Sequence, residues 1–217
     1  LNKTNQVKIL KRTDGAICQS VTYELEFETS RIEAEVSLKK NSCVLEFDVK
    51  LDWHELGNRT KGIPQLSFRI PASYQTGTYR CIVPGGIIDR SEWAQDVPCL
   101  GYMEAVHAEE TSLAVMSDCK YGFRGYDNTV SLTLQRAPYD PDPTPDQGEH
   151  YMKIGITAVG DKEDLTEKYD RFIHPLYAVS NSVHEGELPL SENLLNVTGN
   201  VKVDVLKKAE NGDGIII

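Results

Sequence analysis

Cys43-Val44-Leu45-Glu46-Phe47-Asp48-Val49-Lys50-Leu51-Asp52-Trp53 is the stretch that decides the fold. Its odd positions, Cys43, Leu45, Phe47, Val49, Leu51 and Trp53, are apolar, and the even positions from Glu46 on are Glu46, Asp48, Lys50 and Asp52. Successive side chains of a strand point to opposite faces, so this period of two predicts a long strand with one buried and one wet face. Just upstream, Ile32, Ala34, Val36 and Leu38 alternate with Glu33, Glu35, Ser37 and Lys39. The link Lys40-Asn41-Ser42 is short and polar, so the two runs form a hairpin. Asp14-Gly15 marks a second hairpin turn, between Val7–Arg12 and Ile17–Phe27.

The same reading extends outward. Leu66, Phe68 and Ile70 alternate up to Pro71, and Thr78–Val83 ends at Pro84-Gly85-Gly86. Leu100–Ala108, Ser112–Met116, Thr129–Arg136, Tyr151–Val159 and the Val201, Val203, Val205 run complete the expected strands. Only 164–176 has helical spacing, through Leu165, Tyr169, Phe172, Ile173 and Leu176, with Pro175 closing the helix near His174. About ten strands and one short helix predict an all-β protein, two large antiparallel sheets packed as a sandwich. With no internal repeat and no Gly/Ser linker, residues 1–217 are read as one domain. The connection Ala137–Glu149 carries Pro138, Pro141, Pro143 and Pro145, which stiffen it and forbid a regular ladder. A stiff loop on a rigid sandwich is a candidate functional edge.

Composition bounds the partners. The chain has 217 residues and 23 Lys and Arg against 33 Asp and Glu, a net charge of −10. A hydrophobic fraction of 40% and a charged fraction of 26% exclude wholesale disorder. The acidic balance argues against nucleic acid, and no apolar run approaches the ~18–20 residues of a membrane span. A neutral sugar fits better. The chain starts at Leu1 without an initiator Met and stops at Ile215-Ile216-Ile217, just after Asn211-Gly212-Asp213-Gly214. These ends suggest a piece of a longer polypeptide. The cysteines, Cys18, Cys43, Cys81, Cys99 and Cys119, are odd in number and lack a C-x-x-C pair. They are expected to be reduced, buried thiols of a cytoplasmic protein. In that compartment the sequons at Asn2, Asn58 and Asn196 carry no meaning.

Three constellations could carry chemistry. Asp52-Trp53-His54-Glu55 is either a sugar platform, with the Trp53 face stacking on a pyranose, or a core Trp at a strand end. Asp118-Cys119-Lys120-Tyr121-Gly122 supplies a charge and a phenol at a rim, or is an ordinary turn. Asp146-Gln147-Gly148-Glu149-His150 offers two carboxylates and an imidazole. A retaining glycosidase needs two carboxyl groups ~5 Å apart. The structural reading is that Asp146 and His150 fix loop backbone. One His with carboxylates falls short of a zinc set. No nucleophile elbow, P-loop, H-E-x-x-H or G-x-G-x-x-G occurs.

The string also resembles a family. Ser117-Asp118-Cys119-Lys120-Tyr121-Gly122, then 128–132, 134–138 and Pro141-Asp142-Pro143-Thr144-Pro145-Asp146-Gln147-Gly148-Glu149-His150, form an ordered series. It resembles the C-terminal region of glycoside hydrolase family 38, the α-mannosidases, in their bacterial type. Leu51–Glu55 resembles the family's D-W-x-E stretch, and 200–208 with Asp213-Gly214-Ile215 its late V-x-L-x-x-L-K passage. The likeness is specific over Asp118–Ile156, moderate elsewhere after Cys43, and thin before it. Departures lie at Gly57–Pro64, where the family runs straight into a strand, and at Gly85–Trp93, where a longer insertion is missing.

The resemblance implies a mutarotase-like supersandwich from a retaining exo-α-mannosidase that removes terminal α-linked mannose from oligosaccharides. The parent's nucleophile and zinc ligands would sit in an N-terminal β/α domain outside these 217 residues. No catalytic or metal residue is therefore carried onto this chain, and zinc would belong to the parent. Lys120, Tyr121 and Gly122 would border the cleft, with Arg136 and Tyr121 as the sandwich's Arg and Tyr contacts. Trp53, Glu55, Asp118, Asp146, Gly148 and His150 would be structural or support the cleft from behind. Implied partners are an α-mannoside oligosaccharide and the parent's own N-terminal domain, with homo-oligomer formation open. The alternative is a freestanding sugar-binding or aldose-mutarotase-like sandwich. Its acid–base pair would be His54 with Glu149 or His150 with Glu55.

Overall fold

A computed structural model describes residues 7–108, 110–160, 165–199 and 201–217. The sequon at Asn2, the first expected helix residue Asp164, and Asn200 lie outside the described residues. The chain divides into two units, Leu1–Leu176 and Tyr177–Ile217.

Among the described residues the first unit holds β1 (Lys8–Asp14), β2 (Cys18–Phe27), β3 (Ser30–Lys39), β4 (Val44–Trp53), β5 (Gln65–Pro71), β6 (Thr78–Val83) and β7 (Gly86–Ser91). Then follow β8 (Val97–Pro98), β9 (Tyr102–Ala105), β10 (Ser112–Ser117), β11 (Gly122–Tyr126), β12 (Thr129–Arg136), β13 (Gly148–Val159) and α1 (Leu165–Ile173). The strands form a nine-stranded sheet, β1-β2-β3-β4-β13-β10-β9-β6-β7, and a four-stranded sheet, β5-β12-β11-β8. All pairings are antiparallel, and both expected hairpins form, β1 with β2 and β3 with β4.

The period of two predicted which faces meet. Val49, Leu51 and Trp53 of β4 are buried with Met152 and Ile154 of β13, against Phe123 of β11 and Val130, Leu132 and Leu134 of β12. Phe47 meets Phe68 edge-to-face across the two sheets, ring centres 5.1 Å apart. Such a pair adds about 0.5–1.5 kcal/mol beyond its area. Four strands cannot cover nine, and burial fades along β4 accordingly: Leu45 and Phe47 are half-buried and Cys43 is exposed.

The outer face of the large sheet has its own cover. Ala114 and Met116 of β10 pack under Leu165 and Tyr169 of α1, while Val115 between them faces the sandwich core. The helix fits because the sheet beneath it is small: a Cβ on Gly155 would lie 2.8 Å from Met116 Cε and 3.2 Å from the Phe172 ring. The helix stops at Ile173, two residues before Pro175.

Several expectations need correction. β7, β8 and β11 were not foreseen, because Gly86–Ser91 and Gly122–Tyr126 mix Gly and charge with too few apolar residues to show a period. The expected strand over Leu100–Ala108 is only Tyr102–Ala105, and β13 starts at Gly148 rather than Tyr151. Val201, Val203 and Val205 form no strand; the second unit instead pairs β14 (Lys207–Lys208) with β15 (Ile215–Ile216) around Asn211-Gly212-Asp213. Of the five cysteines only Cys81 and Cys99 are buried; Cys43 and Cys119 are exposed, and Cys18 is intermediate. Among the described residues, no helix is long and apolar enough to cross a membrane.

Candidate functional site

The residues singled out by sequence fall into three neighbourhoods of the first unit. The first is the turn after β4. Trp53 is wholly buried, so its ring is a core element rather than an open sugar platform. Its indole Nε1 is buried without a hydrogen-bond partner among the described residues. Glu55 Oε1 accepts from Thr29 N at 3.0 Å, Thr29 Oγ1 at 3.1 Å and Ser30 Oγ at 2.7 Å. Ser30 Oγ in turn accepts from His54 N, and Gln147 Nε2 donates to the Glu55 carbonyl at 2.9 Å. Glu55 thus ties the β2–β3 turn and the proline-rich loop to the end of β4. These groups border a cleft of about 600 Å³ that also takes in Glu28, Lys61 and Gln65.

The second neighbourhood is the outer face of β4 and β13. Register pairs Glu149 with Asp52, His150 with Leu51 and Tyr151 with Lys50. Alternation therefore puts Glu149 and His150 on opposite faces, and Asp146, Glu149 and His150 do not form one site. The His150 ring meets the Asp146 carbonyl at 2.7 Å. Asp146 and Gly148 both have positive φ, 56° and 110°, shaping the entry into β13. Glu149 is held by Lys50 Nζ at 2.6 Å and accepts from Tyr151 Oη at 2.9 Å. The Lys50 hydrogen bond, then that of Tyr151, lowers the Glu149 pKa and raises that of Lys50. Asp118 joins this face: its Oδ1 accepts from Lys153 N at 2.9 Å. Lys50, Asp118, Tyr151 and Lys153 line a groove of about 400 Å³. Tyr151 is 65% exposed, and Lys50 Nζ lies over its ring, 5.6 Å from the centroid.

The third neighbourhood wraps the outer face of the small sheet. Ser117 Oγ accepts from Lys120 N at 3.0 Å, and Lys120 Nζ reaches Gln135 Oε1 at 3.3 Å. Tyr121 is exposed, and its carbonyl accepts from Cys99 N. Gly122 lies near Asp96 and Thr133, in a polar network that sequence reasoning missed. There Arg124 donates to Asp96 Oδ1 from Nε and Nη2, at 3.0 and 2.7 Å. Thr133 and Gln65 donate to Asp96 Oδ2 at 2.6 and 3.2 Å. Burial alone would raise the Asp96 pKa, but the hydrogen bonds from Thr133 and Arg124 and the Arg124 charge outweigh it, so it is lowered. The outward alternation of Ser131 and Thr133 in β12 was the available signal; the loop residue Asp96 had none. Arg136 is exposed and pairs in register with Gln65.

Neither proposed acid–base pair comes together. His54 Nε2 contacts Asp52 at 2.7 Å, Glu149 is taken by Lys50, Glu55 by Thr29 and Ser30, and His150 by Asp146. Among the described residues no three His, Cys, Asp or Glu side chains gather as metal ligands.

Two antiparallel sheets packed face to face, with one helix over the larger among the described residues, define a β-sandwich domain. The chain belongs to glycosyl hydrolase family 38: the model of the family's C-terminal domain matches residues 1–144. Mouse alpha-mannosidase 2C1 is 29% identical over 147 residues, 66% of this chain and 14% of that protein. Alpha-mannosidase G of Dictyostelium discoideum is 27% identical over 188 residues, 82% of this chain and 17% of that protein. An alpha-mannosidase structure from Enterococcus faecalis V583 matches with a TM-score of 0.66 at 16% identity, covering 84% of this chain and 25% of that one. A second family 38 structure from Enterococcus faecalis gives a TM-score of 0.67 at 15% identity, over 86% and 27%. The shared fold is the large antiparallel supersandwich. The chain spans about a sixth of the curated relatives it matches, or less.

Proposed function

We propose that this chain is the non-catalytic C-terminal β-sandwich of a retaining exo-α-mannosidase that releases terminal α-linked mannose from oligosaccharides, and that it shapes the substrate cleft. The observation that carries the reading is the match to the family's C-terminal domain in a chain spanning only 14% and 17% of two α-mannosidases. In this reading the nucleophile and the zinc ligands come from the parent's N-terminal domain, which is the sandwich's principal partner. Lys120, Tyr121, Gly122 and Arg136 face the cleft, and the Tyr151 groove provides an outer sugar contact.

The uneven sheets support a partner domain. Val21, Val36, Leu38 and Leu45 share the inner face of the large sheet by register, yet stand outside the buried core. They line a largely apolar shelf of about 550 Å³, with Leu38 45% exposed. An open apolar shelf on the core side of a sandwich is surface awaiting cover.

The test is hydrolysis of a chromogenic α-mannoside by the 217-residue chain and by the full-length parent, each with and without added zinc. Turnover by the parent and none by the chain is expected. Metal-dependent turnover by the chain alone overturns the non-catalytic reading, and an inactive parent overturns the mannosidase reading.

A further inference from the structure

We propose that the cavity on the outer face of β6, β9 and β10 binds one neutral sugar ring through two adjacent hydroxyls, one donating to Glu104 and the other accepting from Arg80. In β9, Tyr102 and Glu104 alternate with the core residues Met103 and Ala105, so both stand on the face that α1 covers. Register sets Asp89, Arg80, Glu104 and Ala114 in one row across four strands. Ala114 is short and offers no donor. The sheet and the start of α1 leave a cavity of about 310 Å³ here, and Glu104, only 5% exposed, lines it.

A carboxylate this deep is costly unless hydrogen bonds replace its water. Among the described residues none donates to it: Arg80 Nη1 stands 3.8 Å from Glu104 Oε2, beyond hydrogen-bond reach. Arg80 is held there from its other side. Its Nε and Nη2 donate to the two Asp89 oxygens at 2.8 and 3.1 Å. That fork leaves Nη1 without an acceptor among the described residues, turned toward Glu104. The row thus presents an unsatisfied acceptor and an unsatisfied donor side by side at the cavity wall.

That pairing selects the ligand. A cation would satisfy Glu104 but meet the Arg80 charge. An anion would satisfy Arg80 but meet Glu104 and Glu110, which also lines the cavity. A hydroxyl both donates and accepts, so two neighbouring hydroxyls complete both bonds and bring in no charge. Hydrogen bonds to ionised groups are the strong ones. The remaining wall suits a ring: Val106, Val159 and Leu165 are apolar surface for its C–H face. His107 borders the same space, its ring stacked on Tyr74 with centres 4.2 Å apart. A cavity of about 310 Å³ lies at the lower end of small-molecule sites, ~300–1,000 Å³, which suits one ring rather than a chain of them. The recognition follows from these residues and does not rest on the mannosidase reading.

The test titrates the nitrogen-15-labelled 217-residue chain with methyl α-D-mannopyranoside and follows its backbone amides by NMR. Cyclohexanol, with a single hydroxyl, and ethylammonium, a cation, serve as comparison probes. Saturable shifts at the amides of Glu104, Val106 and Ser112 with the mannoside, and none with either comparison probe, are expected. Glu104→Gln keeps the shape and removes the charge, and it should weaken mannoside binding about tenfold, the difference between a charge-assisted and a neutral hydrogen bond. The proposal is overturned if the shifts grow linearly with sugar or miss these amides. It is overturned equally if ethylammonium or cyclohexanol saturates the same amides, or if Glu104→Gln binds the mannoside as tightly as wild type. The wild-type titrations decide the outcome whether or not the Glu104 variant folds.

Discussion

Gly125 and Asp96 show how much single residues carry here. A Cβ on Gly125 would lie 2.2 Å from Cγ of the fully buried Tyr79 ring, with no far end of a flexible chain to yield. Gly125→Ala should therefore cost about 2–3 kcal/mol by overpacking, read as a shift in urea midpoint at unchanged slope. Gly77→Ala, where nothing lies within 4 Å, should stay within about 0.5 kcal/mol. Asp96 gives a pH test. Its folded pKa is lowered, so its stabilisation is present above the ordinary carboxylate value and is lost as pH falls through the folded one. Thermal midpoints measured downward from about pH 4 should fall more steeply in wild type than in Asp96→Asn. Equal slopes would show that the Arg124–Asp96 pair contributes nothing to acid stability.

At the scale of elements, strands were legible and their ends were not. β4 and β13 each follow the period of two, but Glu149 and His150 read as loop because the prolines of 137–149 suggested that the loop ran to their door. The ladder begins at Gly148, opposite Trp53, and that start separates the two side chains onto opposite faces. The helix was legible from the spacing of Leu165, Tyr169 and Phe172; its seat was not, since Gly101 and Gly155 gain meaning only from what packs over them. A Cβ on Gly101 would fall 2.0 Å from the Tyr169 ring, which also meets Tyr102 edge-on at 5.7 Å. Tyr169→Ala should cost about 3 kcal/mol and speed amide exchange in α1 before that in β12. Uniform loss of protection across both sheets would mean that the helix is not a separable layer.

At the largest scale, the mismatch of nine strands against four among the described residues of Leu1–Leu176 is the governing feature. It leaves Val21, Val36, Leu38 and Leu45 outside the core and gives the proposed partner domain somewhere to bind. Leu38→Glu should leave the stability of the 217-residue chain within about 0.5 kcal/mol, since Leu38 is already half in water. In the full-length parent the same change should lower the melting temperature, because a carboxylate would be buried without a partner. An unchanged parent would show that this shelf stays open in the complete enzyme.

The sequence by itself determined the all-β class, the two hairpins, the buried face of β4 and the family. Each is written in local alternation or in a contiguous string. Only the tertiary structure decided that Trp53 is closed off, that Glu55 ties the β2–β3 turn to the end of β4, and that Asp96 gathers Arg124, Thr133 and Gln65. Those contacts join residues far apart in the chain, and they depend on register and on which strands the smaller sheet covers, which local alternation does not encode.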